Sequence, residues 1–341
     1  MNIDALNAVA RAIVAQPKGI LAADESGPTI KKRFDAIGLA STEENRRRYR
    51  EILFSTEGVE QYLGGVILYE ETLRQSSRDG IPFAELLARR GIVPGIKVDK
   101  GAKPLALHPG EKITEGLDGL RERLAEYQQM GAKFAKWRAV IEIDARDIPT
   151  RSGIRANVHA LARYAALCQE LGIVPIVEPE VLMDGAHDLA RCEEVTARVL
   201  HAVFDELDAQ HVAFEGMLLK PNMVISGMKC PQQASVQQVA EATQRCLRHY
   251  VPAAVPGIVF LSGGQSAEDA TDHLNAMNRM GPQPWQVSFS YGRALQAPVL
   301  AAWQGQESQA SKAQQAFLLR CRLNGLAREG KYERSMEKHA G

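Results

Sequence analysis

Phe134-Ala135-Lys136-Trp137-Arg138-Ala139-Val140 and, beyond a helical stretch at 157–171, Val174-Pro175-Ile176-Val177-Glu178-Pro179-Glu180 are the two segments on which the fold turns. Each opens with apolar residues and carries charged ones further along. Side chains two apart on a strand share a face. Lys136 and Arg138 therefore point one way, as do Glu178 and Glu180. Two short apolar runs joined by an amphipathic helical stretch predict a parallel βαβ unit.

The same unit recurs outward in both directions. Strands are predicted at 19–26, 66–71, 94–99, 134–140, 174–180, 217–224, 258–264 and 285–292, with helices between them at 117–130, 157–171, 191–208 and 236–249. Eight such units predict an α/β fold of the (β/α)8 TIM-barrel type. A doubly wound open sheet is the alternative, but no G-x-G-x-x-G follows the first strand. Leu6, Val9 and Ile13 lie at helical spacing, which predicts an N-terminal helix over 1–15. A further helix is predicted over 308–328, followed by a polar, Gly-bounded mobile tail from about 329 to 341. The whole chain, 1–341, is read as one barrel domain.

Composition narrows the function. The chain carries 41 basic and 41 acidic residues, which argues against a nucleic-acid partner. The one dense basic run, Arg46-Arg47-Arg48 with Arg50, follows Glu43 and Glu44 and reads as a solvated helix face. There is no secretory signal pattern and no apolar run long enough for a membrane span, so no membrane partner is expected. Five cysteines without a CxxC pair point to the reducing cytosol, hence a cytoplasmic protein. The eight histidines show no metal-ligand spacing and read as packing or surface residues. No metal and no cofactor are expected.

The polar strand ends carry the chemistry. Asp24, Lys97, Lys136, Arg138, Glu178, Glu180, Lys220 and Ser262 all fall there, where barrel enzymes place their catalytic groups. Any one pair reads equally well as an ordinary ion pair. Gathering so many charges costs several kcal/mol of desolvation per ion (roughly), which stability alone does not favour. A lysine beside other cations loses proton affinity, and a neutral amine attacks carbonyls. Neighbouring carboxylates shuttle the protons. This is the equipment of an imine-forming lyase.

Two anion sites follow. Ser262-Gly263-Gly264-Gln265-Ser266 runs from the seventh strand into a helix, and Ser290-Tyr291-Gly292-Arg293 ends the eighth. Ser-Gly-Gly alone is also a plain tight turn. Paired with Tyr-Gly-Arg it reads as a phosphate site, because loops after strands 7 and 8 commonly bind phosphate in this fold. Across the barrel, Ser26, Thr29, Lys31, Lys32 and Arg33 follow the first strand, and Lys97 ends the third. Lys31 and Lys32 read as solvated helix charge. Two phosphate sites flanking a lysine imply a bisphosphorylated sugar.

The segments Leu21-Ala22-Ala23-Asp24-Glu25-Ser26, Gly95-Ile96-Lys97-Val98-Asp99-Lys100-Gly101, Phe134-Ala135-Lys136-Trp137-Arg138, Val177-Glu178-Pro179-Glu180, Leu218-Leu219-Lys220-Pro221-Asn222-Met223, Phe260-Leu261-Ser262-Gly263-Gly264-Gln265 and Phe289-Ser290-Tyr291-Gly292-Arg293-Ala294-Leu295 resemble the conserved segments of class I fructose-bisphosphate aldolases. The resemblance runs from about residue 19 to 332. It implies cleavage of fructose 1,6-bisphosphate through a Schiff base on Lys220, with Glu178 as acid/base. Asp24 takes the carboxylate position near the substrate C4 hydroxyl, and Glu180 is a supporting carboxylate. Lys136 and Arg138 are cations that tune the site and hold substrate. Ser262, Gly263, Gly292 and Arg293 correspond to the C1-phosphate site; Ser26, Thr29, Arg33 and Lys97 correspond to the other. The resemblance also implies a homotetramer. The alternatives are a Schiff-base aldolase preferring another phosphosugar such as fructose 1-phosphate, or a non-catalytic scaffold barrel. Two positions depart from the animal members. Ser26-Gly27-Pro28-Thr29 stands where they have Ser-Thr-Gly-Ser, and this chain lacks their C-terminal tyrosine, its last being Tyr332.

Overall fold

The computed structural model describes residues 2–144 and 147–339. Its centre is a closed parallel barrel. The strands are β1 (Gly19–Ala23), β2 (Leu63–Leu68), β3 (Val93–Lys97), β4 (Phe134–Ile141), β5 (Val174–Val181), β6 (Leu218–Leu219), β7 (Gly257–Phe260) and β8 (Gln286–Tyr291). Each pairs with its neighbours in sequence, and β1 closes on β8. The expected helices appear with shifted ends, as Leu120–Gln129, Arg151–Glu170, Leu189–Ala209, Val236–Tyr250 and Ala310–Arg328. A two-stranded ribbon, Ala102–Pro104 with Lys112–Thr114, has no counterpart in the sequence reading.

The hydrophobic residues divide into two sets by the parity of the strands. One set lies inside the barrel: Ile20, Ala22, Ile67, Phe134, Val174, Ile176, Leu218 and Val259. The N-terminal helix Ile3–Ile13 adds Leu6, Ala10 and Ile13 to this set and stoppers one end of the barrel. The alternate residues, among them Leu21, Val66, Trp137, Val177 and Leu219, pack outward against the helices. Continuing the inner parity by two residues reaches Asp24 from Ala22, Lys136 from Phe134, Glu178 from Ile176 and Lys220 from Leu218. The apolar plug and the charged cup above it are one pattern read along the same strand faces.

Glycine makes the inner packing possible at Gly95. A Cβ there would stand 2.3 Å from the ring of Phe134. We expect Gly95→Ala to destabilise the protein by about 2–3 kcal/mol through overpacking, which outweighs the few tenths to about 1 kcal/mol gained by stiffening the unfolded chain. The midpoint of urea unfolding checks this.

Two expectations change. The sixth strand, predicted over 217–224, is only Leu218–Leu219. Pro221 has no N–H to offer the ladder. Backbone pairing lasts two residues more, with the Lys220 N–H donating to the Val177 carbonyl at 2.8 Å and the Pro221 carbonyl accepting from the Leu261 N–H at 3.2 Å. The basic run at 46–50 is not wholly a solvated face. Arg50 is buried against Glu25, whereas Arg47 and Arg48 bond Glu44 and Glu307 near the surface.

Within the segment read as a tail, Tyr332 and Glu337 make contacts with the body of the protein. Tyr332 is buried and donates to Glu337 at 2.8 Å, Arg320 donates to the same carboxylate at 2.5 Å, and Tyr332 exchanges backbone hydrogen bonds with the Asn275 side chain. Polar composition suggested solvent, but these partners lie more than fifty residues upstream or on the preceding helix. Ala340 and Gly341 lie outside the described residues.

Candidate active site

A cleft of about 780 Å³ opens at the end of the barrel where the strands terminate. Every residue to which the family resemblance gives a role lines it: Asp24, Ser26, Thr29, Arg33, Lys97, Lys136, Arg138, Glu178, Glu180, Lys220, Ser262, Gly263, Gly292 and Arg293. Lys32, read as solvated helix charge, also lines it, and so does Asp99, which the sequence reading left out.

At the floor, Lys136 sits among carboxylates. Its Nζ is 2.7 Å from Asp24 Oδ2, 3.3 Å from Glu178 Oε2 and 3.9 Å from Asp99 Oδ2. Lys220 approaches the other oxygen of Glu178, with Nζ 3.2 Å from Oε1. Glu178 thus bridges the two amines. The side chains of Lys136, Glu178 and Lys220 are 5 % exposed or less, so water screens these contacts weakly. Burial opposes a charge on Lys136, but Asp24, Glu178 and Asp99 overcome it and raise its pKa. Burial likewise opposes ionisation of Asp24, yet Lys136, Lys220 and Lys97 hold its carboxyl well below the usual carboxylate range. Lys136 is therefore a fixed cation and Asp24 a fixed anion. Glu178 Oε2 is buried and, among the described residues, has the Lys136 ion pair but accepts no well-directed hydrogen bond.

On the rim, Arg138 bonds Glu180 through Nε, and its backbone N–H donates to Asp99 Oδ2 at 3.2 Å. Burial opposes the Arg138 charge, but Glu180 raises its pKa. Asp99 also receives Lys97, at 2.7 Å from Oδ1. Lys97 and Asp99 share strand parity, and this was the one signal in the sequence for Asp99.

Two loops flank the floor. After β7, Gly263 adopts φ +55°, which suits glycine. Ser266 caps the helix Ala267–Arg279 by accepting from the Asp269 N–H. Arg293 begins the helix after β8 and donates across to the Gly263 carbonyl. After β1, Ser26 stands at the N-cap of the helix Gly27–Asp35, with Pro28 in its first turn, where a missing N–H costs nothing. Ser26 and Thr29 hydroxyls lie 3.1 Å apart.

Behind this loop is a network the sequence reading missed. Glu25, next to Asp24 and also at the wall of the cleft, binds both Arg33 and Arg50. Gln296 Nε2 donates to Glu25 Oε1 at 2.7 Å and to the Ala22 carbonyl at 2.8 Å. Burial opposes ionisation of Glu25, but Arg50 and Arg33 lower its pKa. Tyr332 does not line the cleft and is occupied with Glu337.

Interleaved amines and carboxylates on the floor of a closed barrel, with anion-binding loops on two sides, define a lyase of phosphorylated carbonyl compounds. The chain matches the family model "Fructose-bisphosphate aldolase class-I" over residues 5–341 and belongs to that family. Over 334 residues it is 56% identical to a probable fructose-bisphosphate aldolase class 1 of Xanthomonas campestris, covering 98% of this chain and all of that one. It is 54% identical to the human fructose-bisphosphate aldolase C, covering 97% and 92% of the two chains. A solved fructose-bisphosphate aldolase of Plasmodium falciparum, in complex with TRAP and a small-molecule inhibitor, superposes with a TM-score of 0.96 at 51% identity, covering 97% of this chain and 96% of that one. The protein is a class I, metal-independent lyase that reversibly cleaves fructose 1,6-bisphosphate to dihydroxyacetone phosphate and glyceraldehyde 3-phosphate. No helix among the described residues is long and apolar enough to cross a membrane.

Proposed function

We propose that Lys220 is the Schiff-base nucleophile and Glu178 the group that moves protons. The observation that carries this is the bridge: Glu178 touches Lys220 with one oxygen and Lys136 with the other. Lys136 has a raised pKa and stays charged, so it is not the amine that attacks. Lys220, after yielding one proton to Glu178, attacks the C2 ketone; Glu178 returns that proton to the C2 oxygen, which becomes a hydroxyl, and then takes a second proton from the newly bonded nitrogen. Glu178 then protonates the C2 hydroxyl, which leaves as water, and an iminium remains. That iminium is an electron sink. Loss of the C4 hydroxyl proton breaks C3–C4 and releases glyceraldehyde 3-phosphate. Glu178 suits this step better than Asp24, whose depressed pKa makes it a weak base. Asp24 instead accepts a hydrogen bond from the hydroxyl and holds it in place. The enamine is protonated at C3, and hydrolysis frees dihydroxyacetone phosphate.

Arg138 and Glu180 position substrate at the rim. The turn Ser262-Gly263 with Gly292 and Arg293 takes the C1 phosphate, and Ser26, Thr29, Arg33 and Lys97 take the other. Arg33 and Lys97 are already paired with Glu25 and Asp99, so the distal phosphate competes with those carboxylates. This favours a doubly charged phosphate there over a neutral hydroxyl. We infer further that the protein acts as a homotetramer in the cytoplasm, within glycolysis. Five free thiols suit a reducing compartment. Light scattering coupled to gel filtration reads the assembly.

The test is chemical trapping. Borohydride added with dihydroxyacetone phosphate should fix the ligand on Lys220, located by mass spectrometry of peptides. EDTA should leave the cleavage rate unchanged. An adduct on Lys136 or Lys97, or loss of activity in EDTA restored by zinc, would overturn the assignment.

A further inference from the structure

His273 lies on the second turn of the helix Ala267–Arg279 and is 5% exposed. Helical side chains lean back toward the N-terminus, and this one reaches Gln265, with Nδ1 2.6 Å from Oε1. Gln265 Nε2 in turn donates to the Ser262 carbonyl at 3.1 Å. The Gln265 backbone N–H donates to the same carbonyl, also at 3.1 Å. The roles in this chain are forced. The Ser262 carbonyl only accepts, so the Gln265 amide nitrogen faces it and the amide oxygen faces His273. Nδ1 must then carry the proton. Burial keeps the imidazole uncharged by lowering its pKa to about 4, with Arg334 adding to the effect and Asp269 opposing it.

The consequence reaches the cleft. The Ser262 carbonyl is tied back by Gln265 and the Gly263 carbonyl by Arg293. With both acceptors drawn off, and the Gly264 N–H engaged by Met183 Sδ at 2.9 Å, the turn is left with the Ser262 hydroxyl and the N–H groups of Ser262 and Gly263 at the cleft wall, which is the polarity an anion needs. We propose that His273 is a positioning residue for substrate binding, which fixes the Ser262-Gly263 turn through Gln265. This rests on reading that turn as the C1-phosphate site.

The experiment compares His273→Leu, His273→Asn and Ser262→Ala for KM and kcat with fructose 1,6-bisphosphate and for competitive inhibition by inorganic phosphate. Asparagine keeps an N–H close to the position of Nδ1. His273→Leu should raise KM and the phosphate inhibition constant about tenfold, the effect of one hydrogen bond to a binding loop, with kcat within about twofold. His273→Asn should recover most of the loss. If Ser262→Ala raises KM and His273→Leu does not, the proposal fails while the phosphate site stands. An asparagine variant as impaired as the leucine one also overturns it, because packing and not the hydrogen bond is then at work. If Ser262→Ala leaves both constants unchanged, the phosphate site itself falls and the proposal with it. Should His273→Leu not fold, Gln265→Leu removes the same link from the loop side and is read against the same expectations.

Discussion

Lys220→Arg should yield a folded protein with kcat lowered by about 10⁵-fold, because the covalent route is closed. Arginine places beside Glu178 a positive charge that it cannot give up. It therefore separates two roles that alanine would remove together. If Lys220 served only as a cation, arginine would retain much of the rate. If it is the nucleophile, arginine and alanine variants should be equally inactive, and neither should take up label when borohydride is added with dihydroxyacetone phosphate. Binding of fructose 1,6-bisphosphate should survive in both, since the proposed phosphate loops lie after β1, β7 and β8, away from the Lys220 amine. An arginine variant that still turns over within tenfold of the parent, or still forms a trapped adduct, would sink the assignment.

Much of this site was legible in the sequence for one physical reason. Strand side chains alternate, so Phe134 inside the barrel puts Lys136 above it, and Leu218 does the same for Lys220. Apolar starts and charged ends of the same strands gave both the plug and the cup. Spacing did not say which lysine is the nucleophile; only the family resemblance singled out Lys220. What discriminates them physically is tertiary. Lys136 has three carboxylates around it, while among the described residues the only ion pair of Lys220 is with one, and those partners come from other strands. Arg50 was misread for the same kind of reason. Its own helix shows only a mixed run of charges, and its partner Glu25 lies beyond the end of β1. Pro221 was visible, and its missing N–H should have shortened the sixth strand in the reading. His273 carried no signal at all, because its meaning depends on a turn eight residues back folding toward it.

Replacing the central cation should damage stability and catalysis together, with opposite lessons from pH. Lys136→Met keeps the length of the side chain and removes its charge. Asp24, Glu178 and Asp99 are then left buried with less compensation. Breaking such a group costs about 3–5 kcal/mol at neutral pH. The sign with pH follows from the shifts. Asp24 has a folded pKa below its ordinary 3.8, so its contribution is present above that value and is lost as pH falls below it. Lys136 has a folded pKa above its ordinary 10.5, so its contribution is fully present below that value and is lost as pH rises through the folded one. The stability gap between parent and variant should therefore narrow steadily as pH falls through neutral, including from about pH 5 to about pH 3.5, because the folded variant already holds a proton that Asp24 in the parent takes up only below its ordinary 3.8. In the variant the carboxylates meet the deficit by holding a proton at neutral pH, which disables Glu178 as the base. We expect kcat to fall by about 10²–10⁴-fold at pH 7 and to recover partly as pH rises and that proton is lost. Urea unfolding at the two acid pH values and a pH–rate profile measure these effects independently. A stability gap that does not narrow toward acid, or a variant with the parental kcat, would show that the amine at position 136 is a bystander to the cluster it sits in.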